Sequence, residues 1–387
     1  MARGERPRRN LPPAERRGNL SCSPGLADAT TAAVNPAARL LAASRREPVD
    51  ATPVWFMRQA GRSLPEYRAL RQRLSLLEMV RQPELCAQVT CMPVDLLDVD
   101  AAVVFADIIL PLEGMGIEFE IQEGVGPVVG DPIRSRAQVE RIRVLPAEEA
   151  TPYLFAALRI ARERLGDRAA LIGFGASPFT LACYLVEGRG SRDYSHVRAL
   201  MHGEPGLWHQ LMATLTEVIS RNLLAQAQAG AQLLQVFDSW AGVLDASTFK
   251  DQVAPYLSRL FTTLAPSAPA IYFSTGSAHL LREIASTGAP GVSVDWRLPL
   301  DQAWQLVGYD RFIQGNLDPA LVLCPWPVLK PAAEAVLRRA GGRPGHIFNL
   351  GHGVLPDSDP GQLRRLVNLV HSFELNTAGE LRDREGG

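Results

Sequence analysis

Two arginines that stand four residues apart, Arg58 and Arg62, offer the clearest chemistry in the sequence. Each arginine side chain presents a planar fork of N–H donors, so such a pair is suited to binding carboxylates. Asp107 adds one carboxylate that could stabilise positive charge. Because the formal net charge of the chain is −1, the pattern favours a cleft for an anionic small molecule over a surface for nucleic acid or an anionic membrane.

Residues on which several other chemistries depend are missing from the sequence. Lys250 and Lys330 are the only lysines, and neither ends an apolar run, which argues against a Schiff-base enzyme. No group of histidines, cysteines or carboxylates has the spacing of a metal site, and the five cysteines form no C-x-x-C pair. We therefore expect no metal, no organic cofactor and a reducing compartment. No apolar run approaches the roughly 18 residues of a membrane span.

Further polar residues that could bind a substrate follow other apolar runs: Tyr184, Ser239 and His352. Each candidate also has a purely structural interpretation. The arginine pair could form surface ion pairs, and Asp107 could cap a helix. Tyr184 could belong to the core, and the glycines around His352 could form a backbone turn. None of these signals decides the function separately.

Eight short apolar runs, each followed by a helical stretch, organise most of the chain. They lie at residues 52–56, 101–105, 169–174, 233–237, 270–273, 291–294, 311–314 and 346–349. Apolar strands that alternate with amphipathic helices, such as residues 207–228, predict parallel βαβ units. Eight units predict an α/β fold, a single-domain (β/α)8 TIM barrel. An open doubly wound sheet is the alternative, but no G-x-G-x-x-G loop follows the first run.

The barrel would place these polar residues together, because barrel enzymes carry their chemistry at the carboxyl ends of the strands. We predict that residues 37–373 form the barrel domain and that residues 113–132 are an insertion, a hairpin, after the second strand. Residues 1–36, rich in arginine and proline, are predicted to be a disordered extension. Residues 374–387 are predicted to be a charged, frayed tail.

Several long motifs resemble those of uroporphyrinogen decarboxylases. Residues 53–62, PVWFMRQAGR, with LPEY at 64–67, are similar to the first family signature. GFGASPFTL at 173–181 and YLVEG at 184–188 resemble the second, while FADI at 105–108, FDSWAG at 237–242 and NLGHG at 349–353 resemble further blocks. The resemblance runs from about residue 37 to residue 371. Ser63 departs from it, since the family usually has an aromatic residue there, and Gly175-Ala176 inverts a common pair.

The resemblance implies a cofactor-free lyase that converts uroporphyrinogen III to coproporphyrinogen III by turning four acetate arms into methyl groups. Asp107 would face the pyrrole N–H groups and stabilise a cation. Arg58 and Arg62 would hold substrate carboxylates. The catalytic set is then Asp107, Arg58 and Tyr184, and the further substrate contacts are Ser239 and His352. The proton donor stays open between Arg58, a poor acid with a pKa above about 12, and a relay through it from water or a substrate carboxyl.

The resemblance also implies a cytoplasmic homodimer with facing clefts. Two alternatives compete with it. A zinc-dependent methyltransferase on the same barrel would carry a His-x-Cys pair after a middle strand, where this sequence reads FSTG at 273–276. A catalytically inactive porphyrinogen-binding protein would not need to keep Arg58, Arg62 and Asp107 together.

Overall fold

The computed structural model describes residues 35–122 and 124–374, which belong to one compact unit. Its strands are β1 (Ala101–Val103), β2 (Phe119–Gln122), β3 (Gly126–Val129), β4 (Ala170–Ala176), β5 (Leu233–Asp238), β6 (Ala270–Ser274), β7 (Gly291–Ser293), β8 (Phe312–Leu317) and β9 (His346–Leu350). Seven of them form one parallel sheet in the order β1-β4-β5-β6-β7-β8-β9, and β2 pairs with β3 in an antiparallel hairpin. The sheet and the hairpin confirm the predicted parallel units and the predicted insertion.

Helices connect the strands and surround the sheet. They are α1 (Pro36–Ser44), α2 (Pro65–Arg71), α3 (Leu76–Val80), α4 (Pro83–Leu97), α5 (Pro111–Met115), α6 (Arg136–Glu140), α7 (Ala147–Ala150), α8 (Pro152–Leu165), α9 (Pro178–Glu187), α10 (Ser195–Gly203), α11 (Pro205–Gln228), α12 (Ala246–Gln252), α13 (Ala254–Leu264), α14 (Leu281–Ser286), α15 (Leu300–Val307), α16 (Trp326–Ala340) and α17 (Pro360–Ser372). Short 3-10 helices lie at Ala241–Val243, Ala278–Leu280 and Pro319–Leu323. The predicted amphipathic helix at 207–228 is confirmed as α11.

An extended segment, residues 53–56, closes the sheet into a ring between β9 and β1; we call it the seam. On one side, the Trp55 N–H donates to the carbonyl of Phe348 at 3.3 Å, and the Phe348 N–H donates to the carbonyl of Pro53 at 2.8 Å. On the other side, the Asp100 N–H donates to the carbonyl of Val54 at 2.9 Å. The ring therefore has eight positions, and the chain folds as the predicted (β/α)8 barrel.

The seam is not the regular strand that the sequence predicts at residues 52–56. It makes one isolated parallel bridge, at Val54. Side-chain acceptors take its next backbone donors: the Phe56 N–H donates to Gln59 Oε1 at 2.9 Å, and the Met57 N–H donates to Asn349 Oδ1 at 3.0 Å. Because these amides bond to side chains, a backbone ladder cannot continue along the seam.

A buried polar chain crosses the interior of the barrel. Trp55 Nε1 donates to Gln314 Oε1 at 2.9 Å, and Gln314 Nε2 donates to Ser293 Oγ at 3.0 Å and to Gln235 Oε1 at 3.3 Å. All four side chains are buried. The chain links the seam to β5, β7 and β8, so it helps to fix the position of the seam in the ring.

Asp100, which precedes β1, fastens the seam to both ends of the described chain. Its carboxylate is fully buried and accepts a hydrogen bond from the Val54 N–H at 2.7 Å. Arg39 of α1 contacts it at 2.6 Å, and His371 of α17 contacts it at 2.7 Å. One carboxylate thus joins three parts of the chain that are far apart in sequence.

The predictions for the two ends of the chain lie outside the described residues, except at positions 35, 36 and 374. The extension at 1–36 and the tail at 374–387 therefore stay predictions. In the part of the chain that the structure describes, no helix combines the length and the apolar character that crossing a membrane requires.

We expect Asp100→Ala to lower the free energy of unfolding by roughly 3–5 kcal/mol, because it removes the acceptor from a buried, charged hydrogen-bond centre. Chemical denaturation followed by circular dichroism measures the change. Asp95→Ala is the matched control, since its ion pair with Arg168 has both side chains 55% exposed. Asp95→Ala should lower the free energy of unfolding by less than about 1 kcal/mol. Equal losses in the two variants would contradict the role given to Asp100.

Candidate active site

The polar residues predicted from sequence lie at one end of the barrel, which we call the mouth. The strands are parallel, so their carboxyl ends face the same side. Arg58 and Arg62 follow the seam, Asp107 follows β1, and His352 follows β9. Ser239 directly follows β5, and Tyr184 lies on α9, the helix after β4.

Arg58 is held in an unusual backbone conformation. Its φ is +60°, in the left-handed region that residues with a side chain rarely adopt. The residue before it is fixed on both sides, because the Met57 N–H donates to Asn349 Oδ1 and the Met57 carbonyl accepts from the Val354 N–H at 2.8 Å. These two bonds, one to Asn349 in β9 and one to Val354 after it, specify where the Arg58 side chain leaves the backbone.

The Gly351-His352-Gly353 loop fits closely between two neighbours. A Cβ atom on Gly353 would collide with the side chain of Arg58, and a Cβ on Gly351 would collide with the backbone N of Trp296. Only glycine leaves room for this approach. The histidine between the two glycines is therefore fixed beside the Arg58 side chain.

Asp107 is half-buried at the mouth. Desolvation by the surrounding protein raises its pKa from 3.8 to about 6, against the opposing effects of the Ile109 N–H and the positive charge of Arg58. The Ile109 N–H donates to Asp107 Oδ1 at 3.2 Å. A carboxylate in such surroundings is a strong partner for a cation that binds or forms beside it.

Tyr184 belongs to the same electrostatic group. Its side chain is 8% exposed, and its ring packs edge-on against Trp240, with 4.5 Å between the ring centroids. Burial raises the pKa of its hydroxyl well above 10, and the negative charge of Asp107 raises this pKa further, whereas Arg58 lowers it. Tyr184 therefore stays a neutral phenol that can donate a hydrogen bond. Ser239, half-buried, stands next to Trp240 in the chain.

His352 is a neutral side chain in this site. Its pKa falls from 6.5 to about 4, mainly because of burial and also because of the positive charges of Arg58 and Arg297, against a smaller opposite effect of Asp295. Its ring lies edge-on to Phe273, at 6.2 Å between centroids. At neutral pH the imidazole can exchange hydrogen bonds with a ligand without adding charge.

Arg62 stands apart from this group. Its side chain is exposed, and its charge acts on Tyr67. Burial raises the pKa of Tyr67, while the positive charges of Arg71 and Arg62 lower it. The Tyr67 ring packs edge-on against Phe105 at 5.6 Å. Arg58 thus acts electrostatically on Asp107, Tyr184 and His352, whereas Arg62 acts on Tyr67.

Asp238, which ends β5 beside Ser239, supports the fold of the mouth. It is fully buried and accepts hydrogen bonds from Thr180 Oγ1 and Tyr272 Oη, both at 2.8 Å. Thr180 lies in the first turn of α9, whose N-cap Ser177 accepts from the Thr180 N–H at 3.0 Å. Asp238 therefore ties β5 and β6 to the start of the helix that carries Tyr184.

The candidates drawn from the sequence omit Trp296 and Arg297, which follow β7. The guanidinium of Arg297 lies over the Trp296 ring at 4.1 Å and contacts Asp295 at 2.6 Å. Their position just after an apolar run, which is the rule that identifies the other candidates, could have identified them from the sequence.

The described residues form no site of the kind that a zinc-dependent methyltransferase would use. Within residues 35–122 and 124–374, no three histidine, cysteine, aspartate or glutamate side chains come together so that they could hold a metal ion. Ser274 occupies the end of β6.

Comparison with known proteins identifies close relatives. The family model of uroporphyrinogen decarboxylase (URO-D) matches residues 35–373. A uroporphyrinogen decarboxylase of Sorangium cellulosum is 49% identical over 336 residues, which cover 87% of this chain and 96% of the relative. One of Roseiflexus sp. is 46% identical over 341 residues, which cover 87% of this chain and 98% of the relative. A methyltransferase structure from Methanosarcina mazei, with a TM-score of 0.74, 20% identity and coverage of 87% of this chain and 98% of that one, shows a common fold alone.

We expect Asp107 to titrate with a midpoint near pH 6. In carboxyl-labelled protein, NMR can identify its resonance as the one that Asp107→Asn removes. Arg58→Gln should move this midpoint upward, because it removes the nearby positive charge that favours the carboxylate. Arg62→Gln is the matched control and should leave the midpoint in place. A midpoint insensitive to Arg58→Gln would contradict the proximity of the two charges.

Proposed function

The chain belongs to the uroporphyrinogen decarboxylase family, and from this premise we propose how its barrel mouth acts on uroporphyrinogen. The enzyme is a carboxy-lyase of tetrapyrrole biosynthesis. In our proposal it converts all four acetate arms of uroporphyrinogen III to methyl groups and releases coproporphyrinogen III. The observation that carries the proposal is the half-buried, desolvated Asp107 carboxyl near the positive charge of Arg58, one group for a cation and one for a carboxylate.

Each decarboxylation uses the substrate itself as the electron acceptor. A proton adds to the ring carbon next to the one that carries the acetate arm, and the ring becomes a cation whose positive charge lies in part on the carbon that bears the arm. The bond between the methylene carbon and the carboxylate then breaks, its electron pair moves into the ring, and carbon dioxide leaves. A second proton adds to the methylene carbon, the first proton leaves the ring, and a methyl group results. One proton is consumed for each carbon dioxide released.

Asp107 would stabilise the cationic ring. In its ionised form it places a negative charge in surroundings that screen charge less than water does, so its attraction for the developing cation is strong. Its pKa of about 6 means that most of the group is ionised at neutral pH. The pyrrole N–H groups of the macrocycle are donors of the kind that a carboxylate accepts.

Arg58 and Arg62 would bind carboxylates of the substrate. Both side chains are exposed at the mouth, so the guanidinium groups are accessible to a ligand. Tyr184, Ser239 and His352 would supply neutral hydrogen-bonding groups around the macrocycle. The proximity of Arg58 to Asp107 and Tyr184 makes it the arginine nearest the reacting arm in this proposal.

The protons would reach the reacting arm from water or a substrate carboxyl bound at Arg58. A guanidinium has a pKa above about 12, so it gives up a proton poorly at neutral pH. Arg58 would then orient the donor without itself losing a proton. In this proposal the catalytic set consists of Asp107, Arg58 and Tyr184.

We further propose a cytoplasmic location. The four described cysteines, Cys86, Cys91, Cys183 and Cys324, are free, which fits a reducing compartment. A biosynthetic enzyme of this family also suits that location.

We propose that the chain forms a homodimer with facing mouths. Two of its exposed apolar side chains, Leu323 and Val328, are 49% and 47% exposed. Leu323 ends the 3-10 helix that follows β8, and Val328 lies in the first turn of α16, so both belong to the segment that leaves the mouth end of the barrel after β8. Exposed apolar groups of this kind are suited to a contact between subunits.

We expect anaerobic incubation with uroporphyrinogen III and a metal chelator to produce porphyrins with seven, six, five and then four carboxyls, as counted by chromatography after oxidation. Asp107→Asn should lower kcat by roughly 100- to 1,000-fold, because it removes one preorganised electrostatic stabiliser. Asp251→Asn, an exposed position on α12, is the control and should keep its activity. A folded wild-type sample that leaves the substrate unchanged would refute the proposal, and full activity of Asp107→Asn would remove Asp107 from the mechanism.

Sedimentation velocity should give a mass of twice the 42.2 kDa of one chain. The double substitution Leu323→Glu and Val328→Glu should shift the protein toward the monomer, because it places charges in an apolar contact. Val125→Glu, at a 52% exposed position in the turn between β2 and β3, is the matched control and should leave the dimer intact. A monomeric wild type would contradict the dimer, and an unaffected double variant would exclude this surface.

A further inference from the structure

We propose that Arg297 is a third carboxylate-binding arginine of the mouth and that it holds a propionate arm, which the reaction leaves intact. The proposal rests on the proposed function, since it assumes a polycarboxylate macrocycle in the mouth. It concerns a residue outside the set formed by Arg58, Arg62 and Asp107, and it assigns that residue to substrate binding and not to the chemical step.

The guanidinium of Arg297 is fixed in place but still accessible. Its Nη1 contacts Asp295 Oδ2 at 2.6 Å, and its Cζ lies 4.1 Å from the centroid of the Trp296 ring. The Arg297 side chain is 49% exposed, whereas that of Asp295 is 4% exposed. A guanidinium has five N–H donors, and the bond to Asp295 uses one of them. The accessible part of the group can therefore bind a carboxylate that enters the mouth.

Asp295 in turn is anchored by the backbone. Its Oδ2 accepts from the Gly276 N–H at 2.6 Å, and its Oδ1 accepts from the Arg297 N–H at 3.0 Å. These bonds join the ends of β6 and β7 beneath the arginine. Because the ion pair and the ring contact already restrict the side chain, a ligand would lose little further conformational freedom on binding.

Arg297 and Arg58 stand on two sides of the Gly351-His352-Gly353 loop. Gly351 approaches the backbone of Trp296 closely, and Gly353 approaches the Arg58 side chain closely. The two guanidinium groups therefore flank one neutral histidine. Two cations separated by such a loop can each bind the carboxylate of a different arm of one large substrate.

The ring of strands places Arg297 across the mouth from Asp107. Asp107 follows β1 and Arg297 follows β7. The sheet order puts β4, β5 and β6 between them on one side, and β8, β9 and the seam on the other. An arm held by Arg297 thus lies on the opposite side of the mouth from Asp107.

This position favours a propionate over an acetate. Each pyrrole of the substrate carries one acetate and one propionate arm, and the acetates disappear one by one. A fixed cation can hold the macrocycle in every one of the four rounds only if its partner is present in the substrate and in all intermediates. The propionates meet that condition, so Arg297 is expected to bind substrate, intermediates and product alike.

The test compares Arg297→Gln with Arg297→Lys and with the control Arg365→Gln in the full-length enzyme. Arg365, on α17, lies over the Trp326 ring at the same 4.1 Å, so the control removes an equivalent stacked arginine outside the mouth. Steady-state assays on uroporphyrinogen give kcat and KM. Fluorescence titrations with uroporphyrin, which has eight carboxyls, and with coproporphyrin, which has four, give the affinities.

Arg297→Gln should raise KM about tenfold and change kcat by less than about twofold, because it removes a binding contact and not a catalytic group. It should weaken the binding of uroporphyrin and the binding of coproporphyrin by the same factor, since both molecules keep the propionates. Arg297→Lys should recover part of the loss, and Arg365→Gln should match the wild type.

Three outcomes would overturn the assignment: an unchanged KM in Arg297→Gln, a fall in kcat alone, or a loss of affinity for uroporphyrin only. The last result would mean that Arg297 contacts an acetate. A wild-type enzyme without turnover would instead refute the proposed function itself, so the two failures are distinguishable. A lowered thermal midpoint with unchanged KM would show that Arg297 serves only to support the fold.

Discussion

The closure of the barrel at the seam is the constraint on which the rest of the structure depends. Seven strands pair in a regular sheet, but the eighth position is filled by a short segment that forms one isolated bridge. Hydrogen bonds from side chains hold this segment, and the buried carboxylate of Asp100 is the centre of them. A charge taken out of water must be fully compensated, and its three partners restrict the geometry of the closure.

The seam also decides where the chemistry lies. The amide of Phe56, its last residue, bonds to the Gln59 side chain, the next amide, that of Met57, bonds to the Asn349 side chain, and the chain turns at Arg58 with a positive φ. A regular strand would have continued the ladder and directed the arginine elsewhere. The backbone strain at Arg58 is tolerated because hydrogen bonds to Asn349 of β9 and to Val354 after it fix Met57, the residue before Arg58. Closure and substrate binding are thus two consequences of one irregular stretch of chain.

The mouth combines charges that differ in their access to water. Asp107 is sufficiently desolvated that its pKa rises to about 6, while the arginines around it keep exposed side chains. Tyr184 and His352 are held neutral, the first because burial raises its pKa and the second because burial lowers its pKa. An anionic macrocycle can therefore meet cations at its edge, neutral donors around it and a carboxylate that supports positive charge.

The sequence by itself determined the order of the elements, the parallel arrangement and the location of most mouth residues. Local patterns suffice for these features. Apolar periodicity depends only on neighbouring residues, and the end of each apolar run indicates which residues lie at the carboxyl end of a strand. The long motifs around Arg58, Tyr184 and His352 also determined the family. The hairpin at β2 and β3 followed from the run of glycines in the same local way.

Only the tertiary structure decided which of these residues meet. Asp100 and His371 contact each other across 271 positions of sequence, and no local pattern encodes such a contact. Asp238 and Ser239 are adjacent in sequence, yet the first is fully buried and accepts bonds from two hydroxyl groups, whereas the second is only half-buried. Arg297 resembles any arginine after a strand until its ion pair and its ring contact are seen. Burial and pairing depend on long-range packing, so they emerge only when the ring closes.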